Sequence, residues 1–444
     1  MDRRFERRKR QLLSDCKISS GWLGGAVDRL AGFVSPFAAR LTDPAQRQHA
    51  REYCQGLVSN VERKNVEAIA YQHDQDRRAL QHFIGTSPWN HTPLLDELCG
   101  QVADALQEPD GVLVLDPSSF PKCGKKSVGV ARQWCGRLGK IENCQVGVYL
   151  AYVSRTEQAL VDFRLYLPKA WTKDRVRRKV AGVPRDVKFQ TRHALALEMI
   201  QQRGGILPHR WVAADDEFGK AGTFRRELHE RKETYLLAVP GNLTVRVLPG
   251  AELPCRGQKG VAAFERLDVL CRHLPASAWR RIDLRDGEKG PLVYAVAVIP
   301  HVQARSESRP MQYVETAVFI RYTDSDGTHH EDYYLSDAPA DTPRGEFLRV
   351  ACAEKRVEEC FRRGKSETGL ADYEVRNWLG WHHHQTLSLL AMWFLVQETR
   401  RGKKIHAGHD GIIRTEDNCP IAACGLERLA SELDSPTLTA PIAA

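Results

Sequence analysis

GVLVLDPSSF, residues 111–120, is the stretch from which the rest of the chain can be read. Val112 to Leu115 form an unbroken apolar run that stops at Asp116, the pattern of a short strand covered on both faces with an acid at its end. Glu108-Pro109-Asp110-Gly111 before it is a turn, so a new unit starts there. Two further strands follow, QVGVYLAYVS at 145–154 and LVDFRLYLP at 160–168. Between Thr191 and Arg203, Leu195, Leu197 and Ile200 take a helical period. WVAADDEFG at 211–219 is a fourth strand running out at Asp215-Asp216, a helix then carries Phe224 and Leu228, and TYLLAVP at 234–240 is a fifth strand.

Three strands, a helix, a strand, a helix and a strand make up the order of a ribonuclease-H-like α/β domain, an analogy at the level of fold. In that fold the first and fourth strands are neighbours, so Asp116 and Asp215 are expected at one sheet edge. A third acid comes from ACAEKRVEECFRRGKSETGLADYEVRNWLGWHHHQTLSLLAMWFL, residues 351–395. Its first half is an amphipathic helix with Val357, Cys360 and Phe361 as its apolar stripe and Glu358 beside that stripe. Lys365 lies about two turns further on and projects from nearly the same face. Alone, a Glu and a Lys at this spacing describe a solvated helix face. Beside two other acids they describe a site. Three carboxylates at the edges of one sheet are the oxygen ligands that Mg²⁺ or Mn²⁺ selects. Two such ions about 3.5–4 Å apart activate a water or a 3′-hydroxyl and stabilise the leaving oxygen in phosphodiester cleavage and strand transfer.

The totals agree with such a task. At roughly 100–200 residues per domain, 444 residues suggest two to four units with a large core. A formal charge of +9, from 65 Lys and Arg against 56 Asp and Glu, favours a polyanion partner. The 12 cysteines include no C-x-x-C pair, which excludes a compact disulfide framework and fits a reducing compartment with most of the thiols buried. MDRRFERRKR at the N-terminus is basic but lacks the apolar run of a signal peptide. Leu387–Val396, the longest apolar stretch, is about half of the roughly 20 residues needed to span a bilayer. A soluble, cytosolic protein with no membrane partner is expected.

Residues 1–40 are a basic segment whose structure the pattern leaves open. Thr42-Asp43-Pro44 then caps the first of two or three short helices, broken near Gly56-Leu57 and Gln72-His73, within the unit 41–108. With Arg47, Arg51, Arg63, Lys64, Arg77 and Arg78 expected on its surface, that unit is either a helical DNA-binding region or a packing module with a basic face. Residues 109–240 are the first part of the ribonuclease-H-like catalytic domain, and 341–400 the second. Between them, 241–340 is a β-rich insertion subdomain with strands such as LTVRVL, PLVYAVAVIP and YVETAVFIRYTD. Thr342-Pro343 opens the helix of Glu358, Trp378 to Leu395 is a closing core helix, and 401–444 is a low-pattern tail ending in a disordered SELDSPTLTAPIAA. His382, His383 and His384 point about 100° apart on a helix and cannot share one ion, so a surface or packing role is expected. His406, His409, Cys419 and Cys424 form an irregularly spaced set that could enclose Zn²⁺. Trp279 is expected in a core, with stacking on a flipped base the rarer reading.

Three long motifs, VLDPSSFPKCGKKSVGVARQWCGRLGKIENCQVGV (114–148), VAADDEFGKAGTFRRELHERKETYLLAVPGN (212–242) and RVEECFRRGKSETGLADYEVRNWLGWHHHQTLSLLA (356–391), carry a resemblance. In this order, and with RKNVEAIA and LQHFIGTSPWN upstream, the chain resembles the DDE transposases of bacterial insertion sequences, and among them the 701 family. The resemblance implies a metal-dependent enzyme that binds double-stranded DNA at terminal inverted repeats, hydrolyses phosphodiester bonds and transfers 3′ ends to target DNA with two Mg²⁺ or Mn²⁺ ions. It implies Asp116, Asp215 and Glu358 as the catalytic carboxylates and metal ligands, and Lys365 as a phosphate contact near the scissile bond. The family's D-x-x-[aromatic]-G pattern, which ends here at Gly219, implies Asp215 over Asp216, and the family's Glu position with the gap to Lys365 implies Glu358 over Glu359. Lys122, Lys125, Lys126 and Arg132 in the first motif, with Arg63 and Lys64 upstream, are the further expected phosphate contacts. Two departures stand out: Pro117 where many relatives carry a second Asp, and Ala351 and Glu354 where related transposases carry Tyr and an Arg that helps hold DNA phosphate. A homodimer or larger assembly on paired ends, in the bacterial cytoplasm and on the nucleoid when bound, belongs to this reading. The alternatives are a catalytically inactive, transposase-derived DNA-binding protein and a ribonuclease-H-like nuclease that cuts without joining.

Overall fold

The apolar run Val112–Leu115 is fully buried at the middle of a mixed sheet in the computed structural model, which describes residues 25–73, 76–250, 262–287, 290–306, 309–323 and 327–410. The basic N-terminal decapeptide, Cys419, Cys424, the C-terminal tail and the side chains of His406 and His409 lie outside the described residues. Strand β1 (Val112–Pro121) pairs antiparallel with β3 (Lys140–Val153) and parallel with β5 (Trp211–Ala214). On its other side β3 carries two short partners in succession, β2 (Ala131–Cys135) and β4 (Gln158–Leu165). Strand β6 (Tyr235–Ala238) runs parallel to β5. The expected adjacency of the first strand and WVAA is therefore met. Strand β2 is additional to the sequence reading. So is the length of β1, which does not stop at Asp116 but stays paired with β3 as far as Pro121↔Cys144. Pro117 is compatible with that ladder because past Leu115 the β5 side of β1 has no strand partner, and a proline is tolerated at an edge.

The strands between 241 and 340 do not form a sheet of their own. They are β7 (Thr244–Val247), β8 (Glu265–Arg266), β9 (Arg280–Gly287), β10 (Gly290–Ser306), β11 (Arg309–Pro310), β12 (Glu315–Thr323) and β13 (His329–Ser336). Strand β13 adds antiparallel to β6, so the sheet runs on as β6-β13-β12-β10-β7-β8. A second apolar cluster, with Val245, Leu267, Val302, Phe319 and Leu335, packs this half.

Helices cover the sheet. Asp43 accepts hydrogen bonds from the Ala45 and Gln46 amides and so caps α2 (Pro44–Val58), which follows α1 (Ala26–Ala38). Three more precede β1: α3 (Val66–Gln72), α4 (Arg77–Gly85) and α5 (Thr92–Leu106). Between β4 and β7 come α6 (Lys169–Lys173), α7 (Arg175–Val180), α8 (Arg192–Arg203), α9 (Asp216–Gly219) and α10 (Gly222–Glu230), and α11 (Leu267–Arg272) follows β8. The helix of Glu358 is α12 (Arg344–Glu367), whose cap residue is Pro343; the Thr342 hydroxyl makes no capping bond. The closing helix α13 (Trp378–Asp410) runs well past Leu395 into the segment read as tail. Among the described residues no helix is long and apolar enough to cross a membrane.

His382, His383 and His384 are buried, not at the surface. His383 stacks on Trp89 at 3.5 Å and its ring nitrogens lie 2.9 Å from the Ile84 and Trp89 carbonyls. His384 donates from Nε2 to the Gly369 carbonyl, leaving Nδ1 to accept from the Tyr53 hydroxyl at 2.9 Å. The histidine run thus fastens α2 and α4 to α13, and the N-terminal helices to the sheet.

One buried ion pair joins the two halves of the sheet. Arg225 on α10 donates from Nε to Glu315 Oε1 on β12 at 2.8 Å, the Tyr235 hydroxyl on β6 donates to the same oxygen at 2.7 Å, and Arg225 also reaches the Gly219 carbonyl. Both side chains are fully buried. Removing one partner strands the other charge, so Glu315→Ala is expected to lower unfolding free energy by about 3–5 kcal/mol, read by urea denaturation, whereas Arg225→Met with Glu315→Leu costs much less.

Candidate functional site

The last paired position of β1 and β5 is Leu115↔Ala214, so Asp116 and Asp215 are the next residues on two parallel strands about 4.8 Å apart. Asp116 continues along β1. Asp215 leaves its strand and caps α9, accepting at Oδ1 from the Glu217 amide at 3.1 Å and the Phe218 amide at 3.4 Å. Phe218 is buried against Phe224 at 5.2 Å, and a Cβ at Gly219 would run into the Ala238 carbonyl oxygen on β6. D-x-x-F-G is thus a cap, an aromatic anchor and a backbone contact that only glycine permits.

Helix α12 lies over β1 and β5 and buries Val357, Cys360 and Phe361, the last in edge contact with Tyr149 at 5.1 Å. Glu358 is exposed beside this stripe, while Glu359, partly buried, pairs with Arg362. The Lys365 ammonium lies 5.6 Å from the Phe120 and Phe361 ring centres, on the β1 side of the helix.

Electrostatics tie these groups together. Burial, then the charges of Asp215, Glu354 and Glu358, hold the Asp116 carboxyl well above the usual carboxylate range, with Lys365 opposing. Burial and the neighbouring Glu217 and Asp216 push Asp215 up to about 7, against the two amides that it caps. Burial, then Asp215 and Glu358, push Glu354 up to about 8. Burial and Arg137 lower Lys365, which Asp116 partly offsets. Asp116, Asp215, Glu354 and Glu358 therefore feel one another at the edge where β1 and β5 part, with Lys365 opposing at Asp116 and Lys355 at Glu354.

Glu354 entered the sequence reading only as a departure. Its signal was available: it stands one turn before Glu358, and positions four apart share a helix face. Among the described residues no three His, Cys, Asp or Glu side chains already stand close enough to grip an ion. The donor set nevertheless suits one, being all carboxylate oxygens whose mutual repulsion a hard dication would relieve.

The expected phosphate contacts divide. Lys125, Lys126, Arg132 and Arg63 are exposed. Lys122 is engaged within the fold, 3.6 Å over the Tyr373 ring and donating to the Tyr373 carbonyl at 3.3 Å, and burial lowers it to about 8. Lys64, read as exposed, is buried: its ammonium donates to the Ser59 carbonyl and its amide to Asp372, so its charge serves the fold. Trp279 is half-buried with Arg321 3.9 Å over its ring.

Residues 36–291 match the family described as DDE superfamily endonuclease. Over 199 residues the chain is 29% identical to a probable transposase for insertion sequence element IS701 of Microchaete diplosiphon. That alignment covers 44% of this chain and 49% of the relative, so the chain spans about half the length of the curated protein that it matches. Among solved structures, a piggyBac transposase synaptic complex with hairpin DNA, determined by cryo-EM, aligns with 90% of this chain and 74% of that chain at a TM-score of 0.40 and 11% identity.

The raised acids fix a pH dependence. Asp215 and Glu354 titrate at about 7 and about 8 when folded, above their ordinary 3.8 and 4.5, so the folded chain holds more protons than the unfolded one between those values. Without a dication, stability is expected to fall as pH rises from about 4 to about 8. Thermal melts in a chelator across that range test this, and Glu354→Gln should flatten the slope; an unchanged slope would separate Glu354 from the cluster.

Proposed function

Because this chain belongs to the DDE superfamily endonucleases and resembles the insertion-sequence transposases of the 701 family, we propose that it is a DNA transposase that cuts element ends and joins them to a target. The observation that carries this reading is the placement of Asp116 and Asp215 one residue beyond Leu115↔Ala214, with Glu358 within electrostatic reach of Asp116. Asp116, Asp215 and Glu358 would hold two Mg²⁺ or Mn²⁺ ions. When bound, such ions lower the pKa of a water or 3′-hydroxyl and neutralise charge on the reacting phosphate.

The chain's own groups do the rest. Asp116 and Asp215, whose acids are raised, would give up their protons to cations held there, and the capping position of Asp215 at the start of α9 holds it in place. Lys365, whose charge acts on Asp116, would contact a non-bridging phosphate oxygen. Glu354 puts a carboxyl group where related transposases carry a phosphate-holding Arg, so more of that contact falls to Lys365, Lys125, Lys126 and Arg132. In cleavage a water oxygen bonds to phosphorus, the bond to the 3′-oxygen breaks, and that oxygen leaves as a hydroxyl. In joining, the freed 3′-oxygen bonds to a target phosphorus, its proton is lost, and the target's own 3′-oxygen leaves.

The strand order β3-β1-β5-β6 supports a ribonuclease-H-like core over residues 109–240 and 341–400, interrupted by 241–340. Residues 41–108 would bind DNA through the exposed Arg51, Arg63, Arg77 and Arg78. Two copies on paired ends, in the bacterial cytoplasm, complete the reading.

The test is Mg²⁺-dependent nicking and joining of a plasmid carrying element ends by the full chain. Asp116→Asn, Asp215→Asn and Glu358→Gln should each slow cleavage by at least about a hundredfold while gel shifts still show binding; cleavage that survives Asp116→Asn overturns the assignment. Affinity should fall steeply with salt, and Lys126→Ala should lower the slope of log K against log salt by about one.

A further inference from the structure

The hairpin of β2 and β3 leaves apolar side chains in the open. Trp134 and Ile141 sit opposite each other in its ladder, 55% and 58% exposed, and Leu138 in the turn is 45% exposed. Alternation along β2 puts the exposed Arg132 on the face of Trp134, and buries Cys135 on the other. Arg137 and Lys140 flank the turn. Neither Arg132 nor Arg137 makes an ion pair among the described residues, and the hairpin's single acid, Glu142, lies 3.6 Å from Lys140.

This hairpin is tied to the strand that carries Asp116. The Arg137 amide and the Cys135 thiol both donate to the Ser119 hydroxyl on β1, each at 3.4 Å. Arg137 is also one of the charges acting on Lys365, which in turn acts on Asp116. Ser119 is three residues from Asp116 along β1, about 10 Å, or roughly three base steps of duplex.

We propose that the β2–β3 hairpin is a platform for an unpaired nucleotide next to the scissile phosphate, its base stacked on Trp134 between Ile141 and Leu138 and its flanking phosphates held by Arg132 and Arg137. The proposal rests on the transposase reading above. An exposed indole ringed by unpaired guanidinium groups offers what a single strand presents, a π face between two anions, and a base within an intact duplex has both faces covered by its neighbours. A second copy of the chain is the poorer occupant. Three half-exposed side chains fall well short of the roughly 800 Å² per partner in a stable protein interface, and the cationic rim would repel its own copy.

The test uses the full chain in a chelator, with fluorescent duplexes of about 20 base pairs that are either blunt or carry about three unpaired nucleotides at one 3′ end. Wild type is expected to prefer the overhang, Trp134→Ala to lose overhang affinity by about tenfold and blunt affinity by less than about twofold, and Trp134→Phe to recover most of the loss. A 2-aminopurine at the first unpaired position should be quenched by wild type and stay bright with Trp134→Ala. Equal discrimination by wild type and Trp134→Ala overturns the platform. So does a Trp134→Ala chain that keeps its overhang preference but sediments as a smaller species, which would make the hairpin a self-association surface. Wild type that binds both duplexes alike sinks the platform alone; wild type that binds neither sinks the transposase reading with it.

Discussion

Everything at the candidate site follows from where two strands stop being paired. β1 and β5 run side by side for four positions and separate after Leu115↔Ala214, and at that fork each chain delivers an aspartate. β1 continues because β3 holds it on the other side, so Asp116 is fixed by a ladder. β5 ends because Asp215 caps a helix, so its carboxylate is fixed by two amides. The opposing demands on the two strands create the edge at which charges gather.

Bringing acids to a buried edge is unfavourable, and the surroundings absorb that cost. Gly219 lets α9 lie flat against β6, Phe218 anchors it, and the Arg225–Glu315–Tyr235 network locks α10 and β6 to β12 behind it. The network leaves one nitrogen of Arg225 and one oxygen of Glu315 without partners, so its value lies more in fixing one arrangement than in raw stability. In front, the repulsion among Asp116, Asp215, Glu354 and Glu358 remains, opposed by the ammonium of Lys365 at Asp116 and that of Lys355 at Glu354. A scaffold that holds like charges together invites a counter-charge from outside.

The strands from 241 to 340 share this logic. They extend the sheet through β13 and so cover the edge of β6 that would otherwise stand open. The N-terminal helices are likewise bound to the body of the protein by His383 and His384, whose rings satisfy backbone carbonyls and a tyrosine inside the core.

Periodicity and motif spacing made much of this legible in advance. Unbroken apolar runs marked β1, β5 and β6, because strands buried on both faces need no alternation. Helical period put Val357 and Phe361 inward and Glu358 beside them. Lys64 and the histidine run could not be read that way, since whether a polar side chain is buried depends on partners such as Asp372 and Trp89 that are distant in sequence. The same holds for Glu354, whose meaning comes from Asp215 across the sheet. Local pattern determined which elements form and which acids they carry, because it acts within a few residues. Only the tertiary structure decided which of those charges meet, which are consumed by the fold, and that Trp134 is left bare beside them, because long-range pairing sets burial.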